Sequence, residues 1–163
     1  MKNTYFDLIE QSYYFPQEGF DLSRDGYLSF HGISLKYLIE KYGTPFRFIY
    51  LPKISDQIKK SRNLFNRAIK RNKYNGRYYY CYCTKCNHFY HVIKEALKQN
   101  VNLETSSAFD IDLIISLFES GKIDKNRVII HNGFKSDEYI QKIIRLRDLG
   151  FRNTITILDS TAE

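Results

Sequence analysis

The chain has 163 residues, of which 43% are hydrophobic, and 25 Lys and Arg face 18 Asp and Glu for a formal net charge of +7. This size and apolar content predict a globular chain with a real core and exclude a largely disordered one. No apolar run approaches the roughly 18 residues of a transmembrane helix, and residues 1–15 carry no secretory pattern, so we expect no membrane partner. Three cysteines, an odd number, argue against a disulfide framework and predict a reducing cytoplasm.

The pattern before Gly76 is irregular. Short strands are predicted at 26–30, which alternates, and at 44–51, which Pro45 opens. A helix is predicted at 34–43, with Ser34 as its N-cap and Gly43 past its end.

A basic run at 59–77 contributes much of the positive charge. Such a run is compatible with nucleic acid or an anionic surface, but the charge alone is weakly specific. Apolar residues recur through it at helical spacing, so we interpret the bases as the solvent face of an amphipathic helix and expect no nucleic-acid partner. These apolar positions are Ile54, Ile58, Phe65, Ala68 and Ile69.

A regular alternation of strands and helices begins after Gly76. Strand-helix units spaced by roughly 20–30 residues predict a parallel sheet built by crossover connections. Ser107 with Asp110 forms a capping-box start for the second helix. Strands are predicted at 77–83, 101–106, 127–132 and 154–160, and helices at 87–99, from 107 to just before Gly121, and at 136–150.

Two architectures fit these four units, an open doubly wound sheet and half of a (β/α)8 barrel. The turn after the first strand, CTKCNHF, has no glycine to cradle a dinucleotide pyrophosphate, which disfavours the first. The chain also ends just after the fourth strand. We therefore expect an α/β fold: residues 76–163 as the N-terminal half of a TIM barrel, incomplete and with about four βα units, preceded by a short α+β extension at 1–75.

Three cysteines, a lysine and two histidines lie between Cys81 and His91. Zinc would need ligands from both the strand and the following helix, and their spacing differs from the usual paired C-x2-C pattern, so we predict no metal site. Cys83 and Cys86 form a C-x-x-C pair at a helix start, which leaves a redox role open. Small cysteines filling a tight interior are a third interpretation.

Lys85 is the residue in this cluster with the clearest chemistry. Because side chains alternate along a strand, Cys81, Cys83 and Lys85 point the same way. If that face is the barrel interior, Lys85 lies at the carboxyl end, where barrel enzymes perform catalysis. An unprotonated lysine there can form a Schiff base with an aldehyde such as pyridoxal phosphate. A solvent-facing charge is the alternative interpretation.

Several motifs resemble the alanine-racemase-like, pyridoxal-phosphate-dependent decarboxylases. Lys85-Cys86-Asn87 is similar to the family's K-x-N turn, and YGTPFRFIYLPKI to its Y-G-T-P opening. Glu104, followed by small residues and Asp110, resembles the end of the family's second barrel strand. IIHNGFKSDEYI resembles the third unit of the biosynthetic arginine decarboxylases, whereas CYCTKCNH departs from that branch's more apolar first strand. The resemblance spans nearly all of residues 26–163.

The resemblance implies that Lys85 is the catalytic residue and holds pyridoxal 5'-phosphate. Glu104 would be a second cofactor-binding residue, and His131 and Asn132, which end the third strand, would line the same pocket; barrel-rim or capping roles are the alternatives. The implied reaction converts L-arginine to agmatine and CO2 for polyamine and spermidine biosynthesis. The family's phosphate loop and second domain lie further along, so we expect this fragment alone to be inactive and the full-length protein to be a homo-oligomer. Another decarboxylase or racemase of the same fold, or a non-catalytic regulatory relative, remains an alternative.

Overall fold

The computed structural model describes residues 18–161, which fall into two compact units that meet in sequence between Ile49 and Tyr50. Residues 1–15, on which the expectation of no secretory signal rests, lie outside the described range. None of the helices within the described range is both long and apolar enough to cross a membrane.

The first unit contains a small antiparallel sheet and one helix. Its strands are β1 (Phe20–Leu22), β2 (Leu28–Phe30) and β3 (Ile33–Ser34), in that order, followed by helix α1 (Leu35–Tyr42). The predicted helix is confirmed with its caps: the Ser34 hydroxyl accepts a hydrogen bond from the Tyr37 amide, and Gly43 follows with φ of 75°. The predicted strand at 26–30 is also confirmed, in its second half.

The strand predicted at 44–51 is wrong. Residues 44–50 form neither strand nor helix. The alternating aromatic residues that mimic a strand pattern pack against one another instead: the Phe48 ring lies 5.0 Å from that of Phe30 and 6.1 Å from that of Phe46. Pro45, which lacks a backbone N–H, also weakens any strand ladder here.

Helix α2 (Pro52–Arg71) begins the second unit and confirms the amphipathic helix predicted from the basic run. Only its first half is buried, through Ser55 and Ile58. The predicted apolar face is largely exposed beyond that point; Phe65 is 50% exposed and stacks on Tyr78 with ring centroids 4.0 Å apart. Most of the basic residues on this helix are accordingly in contact with solvent.

A four-stranded parallel sheet forms the centre of the second unit, which confirms the predicted α/β class. Each of the first three strands is followed by a helix. The strands are β4 (Cys81–Cys83), β5 (Asn102–Thr105), β6 (Ile129–His131) and β7 (Thr154–Thr156), adjacent in that order, and the helices are α3 (Tyr90–Leu97), α4 (Ala108–Glu119) and α5 (Asp137–Asp148).

The helices α4 and α5 start at side-chain caps, of which the sequence predicts the Ser107–Asp110 pair. The Ser107 hydroxyl accepts a hydrogen bond from the Asp110 amide at 3.4 Å, and the Asp110 carboxylate accepts from the Ser107 hydroxyl at 3.0 Å and from the Ser106 amide at 2.8 Å. Ser136 caps α5 through the Tyr139 amide. These bonds satisfy amide groups that have no partner within the helix.

The two faces of the parallel sheet are buried to different degrees. Leu103 and Ile129 are fully buried in one core cluster, which also contains apolar residues of α3, α4 and α5. On the opposite face a row of residues in register crosses the sheet: Cys83, Glu104, Ile130 and Ile155. The first three of these residues are half-buried, and Ile155 is 54% exposed. The helices therefore cover one face and leave the other less buried.

Candidate active site

The turn that carries Lys85 follows β4 at the carboxyl end of the sheet. Residues Thr84–Cys86 form a single turn of 3-10 helix, which delays the start of α3 to Tyr90. Thr84 is fully buried, and its hydroxyl donates a hydrogen bond to the Glu104 carbonyl at 3.0 Å. The turn is therefore fixed to the neighbouring strand β5.

The far end of the same turn is held by Asn87. The Tyr82 hydroxyl donates to the Asn87 carbonyl at 2.8 Å, and the Asn87 side chain accepts from the Phe89 amide at 3.0 Å. Lys85 itself is exposed. The Lys85 side chain is therefore accessible to solvent, while hydrogen bonds at Thr84 and Asn87 hold the backbone of its turn in place.

Glu104 lies on the neighbouring strand, on the less buried face of the sheet. It is in register with Cys83 of β4 and Ile130 of β6. Its Oε1 accepts a hydrogen bond from the Asn132 amide nitrogen at 3.2 Å, and the Asn132 side-chain oxygen accepts from the Gly133 amide. The structure thus brings together two of the predicted site residues, Glu104 and Asn132, at the carboxyl ends of β5, which neighbours β4, and of β6, the next strand in the sheet.

The cysteines on this face are shielded thiols. Burial raises the pKa of Cys83 to about 11, helped by a hydrogen bond to the Glu104 carboxylate and by that group's negative charge. Burial also raises the pKa of Cys81, and the Glu104 charge adds to the effect. At neutral pH both groups are therefore thiols, and the face combines a carboxylate with weakly polar sulfur.

His131 is placed apart from the other predicted site residues. It alternates with Ile130 and Asn132 and is fully buried on the helix-covered face. Its Nδ1 lies 2.8 Å from the Thr105 hydroxyl, which in turn lies 2.7 Å from the Tyr139 hydroxyl. Burial, with the nearby positive charge of Lys135, lowers the pKa of His131 to about 4, so the ring is neutral.

Lys135 is a second lysine near the carboxyl end of the sheet, and the predicted site does not include it. It is only 5% exposed, and its ammonium donates to the carbonyl of Gly133. Gly133 has φ of 75°, and a Cβ there would lie 3.4 Å from the Ser106 carbonyl oxygen, so the N-G-F-K loop needs glycine at this point. The motif itself is the sequence signal for Lys135, because it places a lysine three residues after the strand-ending asparagine.

The side chains at and beside the Lys85 turn offer an amine, a carboxylate and an amide. Within residues 18–161, no three His, Cys, Asp or Glu side chains are grouped so that they could hold a metal ion. The accessible side chain of Lys85 is a nucleophile suited to an aldehyde, and Glu104 with Asn132 offers an acceptor and an amide beside the same turn.

Comparison with curated proteins finds several arginine decarboxylases among the relatives of this chain. The chain is 30% identical over 114 residues to the biosynthetic arginine decarboxylase of Parasynechococcus marenigrum, covering 68% of the chain and 17% of that protein. It is 28% identical over 142 residues to a biosynthetic arginine decarboxylase of Prochlorococcus marinus, covering 82% and 21%. Arginine decarboxylase 1 of Oryza sativa subsp. japonica is 29% identical over 103 residues, covering 61% and 14%.

The predicted resemblance to the biosynthetic arginine decarboxylases is confirmed by these matches. The chain spans 14–21% of the length of these relatives. No family model matches it.

Proposed function

We propose that this chain, which is related in sequence to the biosynthetic arginine decarboxylases, is the part of such an enzyme that carries its cofactor-binding lysine. The observation that carries the proposal is the position of Lys85. It lies exposed on a fixed turn after the first strand of the parallel sheet, beside the Glu104–Asn132 pair. Carboxyl ends of parallel strands are where α/β folds bind ligands.

The cofactor that we propose is pyridoxal 5'-phosphate. When bound, it supplies an electron sink for the electron pair that a departing carboxylate leaves behind. Lys85 would hold its aldehyde carbon through the side-chain amine, which must be unprotonated to react. Glu104 would present a negative charge to the cofactor ring or the substrate amine, and Asn132 would fix the direction of that carboxylate.

The less buried face of the sheet supports a half-barrel architecture. Helices α3, α4 and α5 share one core with Leu103 and Ile129 on one face, whereas a doubly wound sheet has helices on both faces. We propose that the row from Cys83 to Ile155 faces the interior of a barrel that further chain completes. Residues 76–163 would then be its first half, after the extension at 1–75.

The proposed substrate is L-arginine, with agmatine and CO2 as products for polyamine biosynthesis. The relatives' names support an amino acid substrate. Free thiols at all three cysteines support a reducing cytoplasm as the compartment. We propose a homo-oligomer for the full-length protein.

The test is covalent labelling in the full-length protein. After reconstitution with pyridoxal phosphate and borohydride reduction, the cofactor should be found on Lys85 by peptide mass spectrometry. Lys85→Ala should remove the label and the release of CO2 from arginine; Lys85→Arg should do the same, because a guanidinium stays protonated. Lys135→Ala is the matched control and should keep the label.

Two results would overturn the proposal: a label on Lys135 or another lysine, or turnover retained by Lys85→Ala. Ornithine, lysine and diaminopimelate assayed beside arginine decide the substrate. If the protein decarboxylates one of these amino acids and not arginine, the proposed role of Lys85 would stand but the proposed reaction would be wrong.

A further inference from the structure

Two of the three thiols flank the Lys85 turn. Cys83 ends β4 and precedes the turn, and Cys86 is its last residue. Cys83 is half-buried against Glu104, whereas Cys86 is exposed. The pair encloses Thr84 and Lys85 in a C-x-x-C sequence that the proposed decarboxylase reaction does not use.

The backbone holds these two residues at a separation that a disulfide can bridge. A 3-10 turn advances about 2.0 Å per residue, so the two Cα atoms are about 6 Å apart. Disulfides span Cα separations of roughly 4.4–6.8 Å. Cys86 is also close enough to Cys83 to contribute to the raised pKa of its thiol. The Cys81 sulfur, two residues earlier on the strand, lies instead 4.0 Å from the Tyr79 carbonyl oxygen.

We propose that Cys83 and Cys86 form a reversible redox site, closing to an intramolecular disulfide around Lys85. The oxidant is a low-molecular-weight disulfide such as glutathione disulfide. Cytoplasmic disulfides are mostly transient and redox-sensing, which agrees with three cysteines that are free in the structure.

The exchange proceeds in two balanced steps. The exposed Cys86, as a thiolate, attacks one sulfur of glutathione disulfide and releases one glutathione thiolate, which takes a proton to become the thiol. Cys83 then passes its proton toward the carboxylate of Glu104, its neighbour in register on β5, and its sulfur attacks that of Cys86. The second glutathione leaves and takes that proton. One protein dithiol and one glutathione disulfide thus give one protein disulfide and two glutathione molecules.

The order of the two steps follows from the surroundings of each sulfur. Thiolates are the attacking species, and the pKa of Cys83 is raised to about 11 by burial and by Glu104, so Cys83 is a poor first nucleophile. Cys86 is solvent-exposed and meets the oxidant first. Once the mixed disulfide forms on Cys86, Cys83 is adjacent and reacts within the same turn.

Closing the ring fixes the two ends of the Lys85 turn to each other. Given the proposed function, on which this consequence alone rests, oxidation would restrict the approach of Lys85 to a cofactor aldehyde and reduce its labelling. The disulfide itself does not depend on what Lys85 binds. The disulfide is detected by the mass of the peptide that contains it, so its detection does not require catalytic activity.

The experiment equilibrates the full-length protein with defined ratios of glutathione and glutathione disulfide, blocks remaining thiols with N-ethylmaleimide, and maps the peptides by mass spectrometry. We expect a Cys83–Cys86 bond, with Cys81 alkylated. The same titration in urea should need a glutathione disulfide to glutathione ratio at least about tenfold higher for half-oxidation, because the folded turn supplies the effective concentration. Cys81→Ser is the matched control and should oxidise as wild type does.

Single-thiol variants test the order of the steps. Cys83→Ser should stop at a mixed disulfide on Cys86, and Cys86→Ser should react much more slowly on Cys83. Equal oxidation in the folded and urea-unfolded chain, a bond that includes Cys81, or a lasting mixed disulfide on Cys86 in wild type would each overturn the proposal. None of these outcomes bears on labelling of Lys85 in the reduced protein, which tests the proposed function.

Discussion

The Glu104 carboxylate accepts a hydrogen bond from the side-chain amide of Asn132, with 3.2 Å between Oε1 and Nδ2. The two residues sit at the carboxyl ends of adjacent strands, and Asn132 is itself held by the Gly133 amide. Glu104 is also in register with Cys83 on the other neighbouring strand, and it raises the pKa of that thiol. One carboxylate therefore connects the ends of β4, β5 and β6.

We expect Glu104→Gln to lower the pKa of Cys83. Burial is the largest cause of the raised value and persists in the variant, so the pKa should fall from about 11 but stay above that of an exposed thiol. The measurement is the pH dependence of Cys83 alkylation in a background where Cys81 and Cys86 are Ser. Glu119→Gln, at an exposed glutamate ending α4, is the control; an unchanged Cys83 profile in Glu104→Gln would contradict the contact.

The Thr105 hydroxyl is the centre of the buried polar network beneath α5. It lies within hydrogen-bonding distance of His131 Nδ1, the Tyr139 hydroxyl and the Ile130 carbonyl. A hydroxyl has one proton and two acceptor positions. All three contacts are satisfied if the Thr105 hydroxyl donates to the Ile130 carbonyl and accepts from both His131 Nδ1 and the Tyr139 hydroxyl. This arrangement assigns the proton of the neutral His131 ring to Nδ1.

Thr105→Val keeps the side-chain shape and removes the acceptor of two buried donors. We expect it to lower the free energy of unfolding by about 2–4 kcal/mol, since each buried unpaired group costs about 1–3 kcal/mol. Tyr139→Phe removes one donor and should cost about 1 kcal/mol. In urea unfolding, the double variant should cost less than the sum of the two; strict additivity would contradict a shared hydrogen bond.

Periodicity and capping residues predict most of the second unit. Helix α4 follows from the Ser107–Asp110 capping box and from Gly121 past its end, because these signals act within one turn. Strand ends are predicted less well. The strand expected from residue 77 pairs from Cys81, since pairing depends on where the neighbouring strand begins, which the local pattern does not contain.

The candidate site divides in a similar way. Glu104 and Asn132 are predicted to line one pocket, and the structure shows them hydrogen-bonded. His131 is predicted for the same pocket, with a barrel-rim role as the alternative, but it alternates with Asn132 along the strand and is buried on the opposite face. The N-G-F-K motif marks the position of Lys135, but the burial of its side chain and the effect of Glu104 on Cys83 depend on packing between elements far apart in sequence.

Ser55 connects α2 to α3 through a buried hydrogen bond. Its hydroxyl donates to Glu95 Oε1 at 2.6 Å and accepts from the Gln99 side chain at 3.1 Å. We expect Ser55→Ala to cost about 1–2 kcal/mol in urea unfolding, because two buried polar groups lose a partner. Ser61→Ala, on the less buried part of the helix, should cost less; an equal or smaller loss for Ser55→Ala would contradict a stabilising role for this bond.

The last prediction concerns acid and His131. The ring has a folded-state pKa of about 4 against an ordinary value of 6.5, because burial and the Lys135 charge disfavour the imidazolium. The folded chain therefore excludes a proton that the unfolded chain binds below about pH 6.5. The free energy of unfolding should therefore fall by on the order of 3 kcal/mol between pH 6.5 and pH 4. Below pH 4 the contribution of His131 should level off.

Carboxylates also titrate in this range, so the decisive quantity is the difference between two stability curves. His131→Asn keeps an N–H donor near the Nδ1 position and removes the titration, and its curve should lie below wild type at pH 7 and converge with it toward pH 4. His88→Asn, at an exposed histidine, is the matched control and should run parallel to wild type. Parallel curves for His131→Asn and wild type from pH 7 to pH 4 would show that the buried ring does not contribute to the acid sensitivity of the fold.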